Sequence, residues 1–484
     1  MYLSSSRSGD VSTGVRGGPA PASEPDGPDG AEGPVAPDAR AVPSDRSAPD
    51  APRAQDRPRG RLARIVAPNV LALGMVSMVT DVSSEMVTAI LPVYLVLGLG
   101  LSPLAFGMLD GLYNGATAFL RIAGGHVADR TRRHKPVAGF GYGLSAACKL
   151  ALPAAGSVPV IGAVIAADRM GKGVRTAPRD ALISLSSPPG GQGRAFGVHR
   201  AFDTAGALLG PPVALAVLWF TAQAYDAVFV VSFCLAAFGV LLLCLYVREV
   251  PCALPVSAPR PRLREALAVL RVPAFARLCG YALVLGAVTI GDGMVYLLLQ
   301  REVDLRPHLF PLLPFGTALG FLLLAVPVGL AADRIGRLRV FLCGHVVLLG
   351  CYAVLLAPLP RAVLICAPLL LLGVFYAATD GVLMAVAAPL APARLRGGSL
   401  ALVQTGQAAG RAVGAIGFGA AWTAWGPHTA LIAAAAALAT AGGAAAAVAY
   451  RCRAAAPPHS ERSEHPKHSE HRPHSPQPPS EDAR

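Results

Sequence analysis

Asp81 and Glu85 lie four residues apart in the run Val79-Thr-Asp-Val-Ser-Ser-Glu-Met86. On a helix that spacing puts both carboxylates on one face, with Ser84 beside them. Two carboxylates this close do not both ionise easily, which suits a group that takes up and releases protons. A second run supplies the opposite charge: Asp168, Arg169, Lys172 and Arg175 fall within eight residues. Arg169 and Lys172, three apart, share a face, and a cation moving toward or away from Asp81 or Glu85 would control whether they hold a proton. The plainer readings are a hydrogen-bond cluster with Ser83 and Ser84, and a static ion pair between helices. Lys172 and Arg175 are also placed to snorkel toward the end of their span.

Other polar residues interrupt apolar runs. Asp110, Tyr113 and Asn114 form an i, i+3, i+4 stripe, with Asp110 near one end of its span. Asp292 and Tyr296 share a face, and Asp380 follows Tyr376 and Thr379 in a stretch of Leu, Val and Ala. Arg200 and Asp203, three apart, are expected to pair with each other or with Asp180, and Lys149 is expected to snorkel as a lone charge.

These residues demand explanation because of what surrounds them. The 484-residue chain is 53% hydrophobic and 15% charged, with a mean hydropathy of +0.50. Soluble domains carry about 25% charged residues. Apolar stretches near 20 residues recur, the length a bilayer core requires of a helix. Twelve spans are predicted, near 69–97, 102–127, 137–154, 157–180, 195–221, 226–247, 274–299, 308–332, 338–358, 362–388, 398–423 and 427–450. A charge at mid-bilayer costs about 2.5–3.5 kcal/mol even on mild scales, so such residues face protein or a water-filled cavity.

The expected organisation is a disordered cytoplasmic tail (1–64), a six-helix bundle (65–247), a cytoplasmic amphipathic linker (248–273), a second six-helix bundle (274–450) and a disordered His-rich tail (451–484). Both tails lack the large apolar residues needed to offset ordering entropy. Arginine and lysine concentrate in alternate connections, among them Arg130, Arg133, Arg179, Arg194, Arg334 and Arg394, whereas the opposite connections offer Arg301, Arg306 and Arg361. Basic residues stay cytoplasmic, so both termini are expected there, in the inner or plasma membrane.

The two halves repeat. Gly125-His-Val-Ala-Asp129-Arg130-Thr-Arg-Arg133 closes the second span, and Gly329-Leu-Ala-Ala-Asp333-Arg334-Ile-Gly336-Arg337 closes the eighth. Asp81 and Asp292, and Asp168 and Asp380, stand at matching places. A duplicated unit with its site between the halves is common among secondary transporters. The loop signature resembles that of the major facilitator superfamily; its first copy departs where Arg132 replaces the usual Gly. Arg169-Met-Gly-Lys172-Gly173 is similar to the family's fourth-span motif, which implies that Arg169 takes part in proton transfer. Gly206-Ala-Leu-Leu-Gly210-Pro211 looks like a degraded form of the motif of proton antiporters. Residues 80–86 and 171–180 are similar to a poorly characterised prokaryotic branch of that superfamily.

The expected fold is an all-α membrane protein of about twelve transmembrane helices in two pseudo-symmetric bundles. The expected proton and substrate cavity comprises Asp81, Ser84, Glu85, Asp110, Asn114, Arg169, Lys172, Asp292, Tyr296 and Asp380. Gly125, Asp129, Arg130 and Arg133, with Gly329, Asp333, Arg334, Gly336 and Arg337, are expected to latch the halves in one conformation. Gly206 and Gly210, and Gly406, Gly410 and Gly414, permit tight helix packing. No nucleophile, phosphate-loop or metal motif appears, so neither an enzyme nor a cofactor is expected. The nine cysteines form no disulfide framework, and nothing points to nucleic acid. The expected partners are a small-molecule solute, protons and the bilayer, with the protein a monomer. The expected activity is alternating-access, proton-coupled efflux of a small organic solute; an uptake symporter or a non-transporting sensor or scaffold of the same fold are the alternatives. His459, His465, His468, His471 and His474 are read as part of a solubilising tail rather than a metal site.

Overall fold

The computed structural model describes residues 67–116, 133–188, 191–250, 267–392 and 395–454. The N-terminal tail, most of the linker and of the His-rich tail, and Gly125, Asp129, Arg130 and Arg132 lie outside the described residues. Within them the chain is helical and contains no strand. In order the helices are α1 (Pro68–Val93), α2 (103–116), α3 (His134–Ala151), α4 (Val158–Leu185), α5 (Gln192–Phe220), α6 (Tyr225–Tyr246), α7 (Pro273–Ala287), α8 (Asp292–Glu302), α9 (Leu312–Ile335), α10 (Arg337–Leu356), α11 (Arg361–Ala387), α12 (Arg396–Trp425) and α13 (Pro427–Ala454). Helices α7 and α8 are two pieces of the seventh span.

Local chemistry sets several boundaries. Pro68 opens α1, a position that needs no amide donor. The amides of His134 and Lys135 at the start of α3 donate to the Glu249 carboxylate at 3.0 and 2.7 Å, so a residue beyond α6 caps α3. The seventh span breaks at 288–291, where the Ile290 amide donates to the Tyr352 hydroxyl at 2.9 Å instead of continuing the helical ladder. Gly336 between α9 and α10 has φ +104, a backbone state open to glycine and strained for other residues.

Among the described residues, eight spans are long and apolar enough to cross a membrane by composition alone. The fourth span is not one of them, because α4 carries Asp168, Arg169, Lys172 and Arg175. Its charges are tolerable because α4 lies along α3 and also meets α1 and α5, which supply partners.

The helices pack as two copies of one pattern. In the first half α1 packs on α5, and α3 on α4 and α6; in the second α7 packs on α12, and α10 on α11 and α13. The start of α1 and the end of α13 lie at one end of the bundle, called here the terminus end. At the far end a single hydrophobic core runs through both halves, including Met86, Ile90, Phe106, Met294, Leu298, Phe418 and Trp422. At the terminus end the cores are separate. Val70, Leu73, Tyr142 and Leu243 belong to the first half, and Phe275, Leu278, Phe341 and Leu383 to the second. Specific contacts tie the far end: the Leu104 amide donates to Thr423 Oγ1 at 3.0 Å, and Trp219 meets His308 edge-on at 5.5 Å. Pro92 also approaches Gly293. Among the described residues the apolar cores are therefore joined at one end and separate at the other.

Candidate functional site

Within the first half, α1 and α4 bring their charges together near mid-span. Asp81 Oδ1 lies 3.7 Å from Arg175, whose guanidinium also stacks over Tyr142 at 4.4 Å. Arg175 is 3% exposed, so it does not snorkel; it is Asp81's ion partner. Arg169, expected to face Asp81 or Glu85, bonds its neighbour Asp168, lies 4.0 Å over the Tyr113 ring and acts electrostatically with Glu85 rather than Asp81. The antiparallel crossing of α1 and α4 explains the exchange. Arg175 lies toward the terminus end, level with Asp81, whereas Arg169 lies deeper.

Lys149 also departs from expectation. It is 4% exposed, 3.9 Å from Asp168 and 3.5 Å from Ser84 Oγ. Ser145 donates to the same Asp168 carboxylate. A cavity of about 30 Å³ opens beside it, lined by Ser84, Thr88, Tyr113, Lys149, Asp168 and Arg169, among others. That is room for about two waters.

Glu85 and Lys172 differ from these paired groups. Neither has an ion pair or side-chain hydrogen bond among the described residues, and each lies within the electrostatic reach of the other. Glu85 packs on Gly210 and Asp81 on Gly206, so the two glycines hold α5 directly against the carboxylate face of α1. Gly410 and Gly414 likewise seat α12 on the backbone of α7.

A second cluster spans the two halves. Asp292 begins α8 and accepts a hydrogen bond from the Tyr376 hydroxyl. Asp380 lies 3.6 Å from Arg411, which also sits 5.8 Å from the Tyr376 ring centroid. From the first half Asp110 reaches Gly291, at the break in the seventh span, with its Oδ2 buried and without a hydrogen bond among the described residues. Asn114 donates to Asp110 Oδ1 at 3.2 Å. Asp110 thus contacts the facing half at the break in the seventh span. Tyr296 is buried against Phe310 and is 5% exposed. Together the clusters place carboxylates, guanidiniums and hydroxyls where the separated ends of the halves meet the shared core.

The family model of the Major Facilitator Superfamily matches residues 73–300 and 278–480. The chain belongs to the major facilitator superfamily. It is similar to an uncharacterized MFS-type transporter of Methanocaldococcus jannaschii, 31% identical over 296 residues, 59% of this chain and 71% of the relative. An uncharacterized protein of Mycobacterium tuberculosis is 35% identical over 156 residues, 32% of this chain and 38% of the relative. Among solved structures, the nucleoside transporter NupG aligns with a TM-score of 0.67 at 15% identity, covering 78% of this chain and 98% of that one. A bacterial homolog of the human lysosomal transporter Spinster, in an inward-facing and occupied conformation, aligns with a TM-score of 0.63 at 15% identity, over 79% and 96%. At these identities the structural likeness concerns the fold. This is a multi-pass membrane transporter of the major facilitator type.

The facilitator loop motif is described in its second copy. Arg337 bonds Asp333 at 2.9 Å and donates to the Ala385 carbonyl at 3.1 Å, tying the loop to the end of α11. Arg334 and Arg133 are exposed. Gly329 has open space where a side chain would start, so it marks no close helix contact. In the matching first copy, Gly125, Asp129 and Arg130 lie outside the described residues. Arg411 and His199 were not singled out from sequence. Arg411 carried a usable signal, a cation inside a Gly- and Ala-rich span; His199 lies near the start of α5 and carried none.

Proposed function

We propose that this facilitator is a secondary active transporter that exports a small organic solute in exchange for protons by alternating access. The observation that carries the reading is the arrangement of cores, one shared at the far end and two separate at the terminus end, with Glu85 and Lys172 between them, each without an ion pair among the described residues. The bundles of the two halves, 65–247 and 274–450, rock against each other, and the loop motifs with Asp129 and Asp333 latch one state. Asp81, Ser84, Glu85, Asp110, Asn114, Arg169, Lys172, Asp292, Tyr296 and Asp380 line the path of proton and solute. The arginine asymmetry of the loops supports a cytoplasmic terminus end, which makes this state inward-open. Export rests on the Gly206–Pro211 segment. The mixed charges suit a polar solute with both donor and acceptor groups; transporters of the same fold include one for nucleosides and one solved in complex with 5-aminolevulinic acid.

The test is purified protein in liposomes with an imposed pH gradient, an internal pH dye and pooled solutes. Solute-dependent proton flux in the wild type, lost in Asp81→Asn and Arg169→Ala, is the expected result. Solute movement that ignores the pH gradient would remove the proton from the cycle. No solute movement from any pool by well-folded protein would favour a sensor.

A further inference from the structure

Among the described residues, three buried polar atoms of α5 have no hydrogen-bond partner: both ring nitrogens of His199 and Oδ1 of Asp203. His199 is 3% exposed and lies one turn before Asp203 on α5. Its Nε2 stands 3.5 Å from Asp203 Oδ1, beyond the ordinary N–H···O distance. Buried polar groups are nearly always bonded, and each exception asks for a reason.

The charges around the ring come from two helices. Helix α4 supplies Arg179 and Asp180, and α5 supplies Arg200 and Asp203. Arg179 bonds Asp180 at 3.0 Å, approaches Asp203 at 3.8 Å and donates to Ser77 Oγ of α1 at 3.1 Å. Two cations face two carboxylates, so the group is balanced while the imidazole is neutral. Within it, the imidazole is the member whose ordinary titration falls near neutral pH.

The cluster adjoins the proposed proton site. Ser77 lies one turn from Asp81 on α1, and Gly206, three residues after Asp203, packs on the Asp81 Cβ. Asp81 also acts electrostatically with Asp203 and Arg179. From Asp81 the cluster leads toward the terminus end, where the described cores of the two halves are separate.

We propose that His199 holds the transported proton between Asp81 and the water at the terminus end; this rests on the proton-coupled reading above. The proton passes by way of Asp203: the Asp81 carboxyl O–H breaks as an O–H forms on Asp203, and that O–H breaks as an N–H forms at His199 Nε2, leaving an imidazolium against the Asp203 carboxylate. That N–H then breaks to water, which restores the neutral ring. The 3.5 Å gap closes into a charge-assisted hydrogen bond while the proton is held, and reopens when it leaves.

The test uses full-length protein in lipid nanodiscs with isotope-labelled histidine, titrated from about pH 3 to about pH 8. The signal lost in His199→Gln identifies the residue, and Asp203→Asn must move the same signal, which secures the assignment if the first variant folds poorly. The expected result is that this signal titrates, and that its proton affinity changes about tenfold, or one pH unit, in Asp81→Asn. A signal that does not titrate, or titrates identically in Asp81→Asn, overturns the proposal. The liposome assay reads the parent proposal separately. Wild-type flux that His199→Gln leaves unchanged at every pH removes His199 alone, whereas wild-type transport indifferent to protons removes the coupling itself.

Discussion

Gly210 lies directly against Glu85: a Cβ on the glycine would stand 2.5 Å from the Glu85 Cβ and 3.0 Å from the Val82 carbonyl oxygen. Both neighbours belong to α1, and neither is the free end of a flexible side chain. Gly210→Leu therefore forces α1 and α5 apart. We expect a loss of about 1–3 kcal/mol from overpacking and a near-complete loss of transport. Thermal unfolding in detergent, alongside solute flux, checks this. An unchanged melting temperature would show that α5 yields without cost.

The Asp81–Arg175 pair can be tested by a double-mutant cycle. Asp81→Asn leaves the Arg175 guanidinium buried with the Tyr142 ring but without its carboxylate. Removing one partner of a buried pair costs about 3 kcal/mol, and removing both by adding Arg175→Met should recover part of it. Denaturation of the two single variants and the double measures the coupling. Strictly additive losses would mean that the two groups do not interact.

Gly336→Ala tests the turn between α9 and α10. At φ +104 an alanine is strained by about 1–3 kcal/mol, although the Arg339 stem is the nearest obstacle at 3.9 Å. The expected result is a lower melting temperature. A stable variant would show that the turn relaxes to another backbone state.

Asp333 and Arg337 make a different kind of pair, with side chains 62% and 47% exposed. Such surface pairs contribute about 0–1 kcal/mol, so Asp333→Asn should leave stability nearly unchanged. If the pair is a latch, transport slows several-fold all the same. Equal rates in variant and wild type would reduce it to a surface contact.

The joined far end can be locked. Leu104→Cys with Thr423→Cys, in a background stripped of the nine native cysteines, puts thiols on two neighbouring residues whose backbone amide and side-chain hydroxyl bond at 3.0 Å. Oxidation should cross-link the pair and stop transport, and reduction should restore it. A cross-linked protein that still transports would show that this end does not open in the cycle.

The span pattern was legible because each crossing is a run of apolar residues bounded by turn chemistry, and the buried charges stood out as violations of that pattern. Their pairing was not legible. Lys149 looks solitary because its mate, Asp168, comes from the next helix, and Arg175 looks peripheral because span ends are hard to locate in a helix this charged. Asp81 and Asp292 occupy matching places in the repeat, yet one lies inside a continuous helix and the other opens a new one after a break. A break of that kind depends on Tyr352, more than sixty residues away, accepting the Ile290 amide. The His199–Asp203 contact is local in sequence, an i, i+4 pair, but its lack of hydrogen bonds is a property of tertiary packing.

The single core at the far end also has an electrical consequence. In the inward-open state proposed above, water reaches between the halves from the terminus end, while the shared core excludes it from the other. A membrane voltage then falls across the thickness of that dry core rather than across the whole bilayer. A unit charge crossing 100 mV is worth about 2.3 kcal/mol. An ion held at Asp81 lies on the wet side of the drop in this state. If the dry core re-forms at the opposite end, the same ion crosses most of the field without moving relative to its ligands. Voltage would thus act on the rocking of the halves, not on binding.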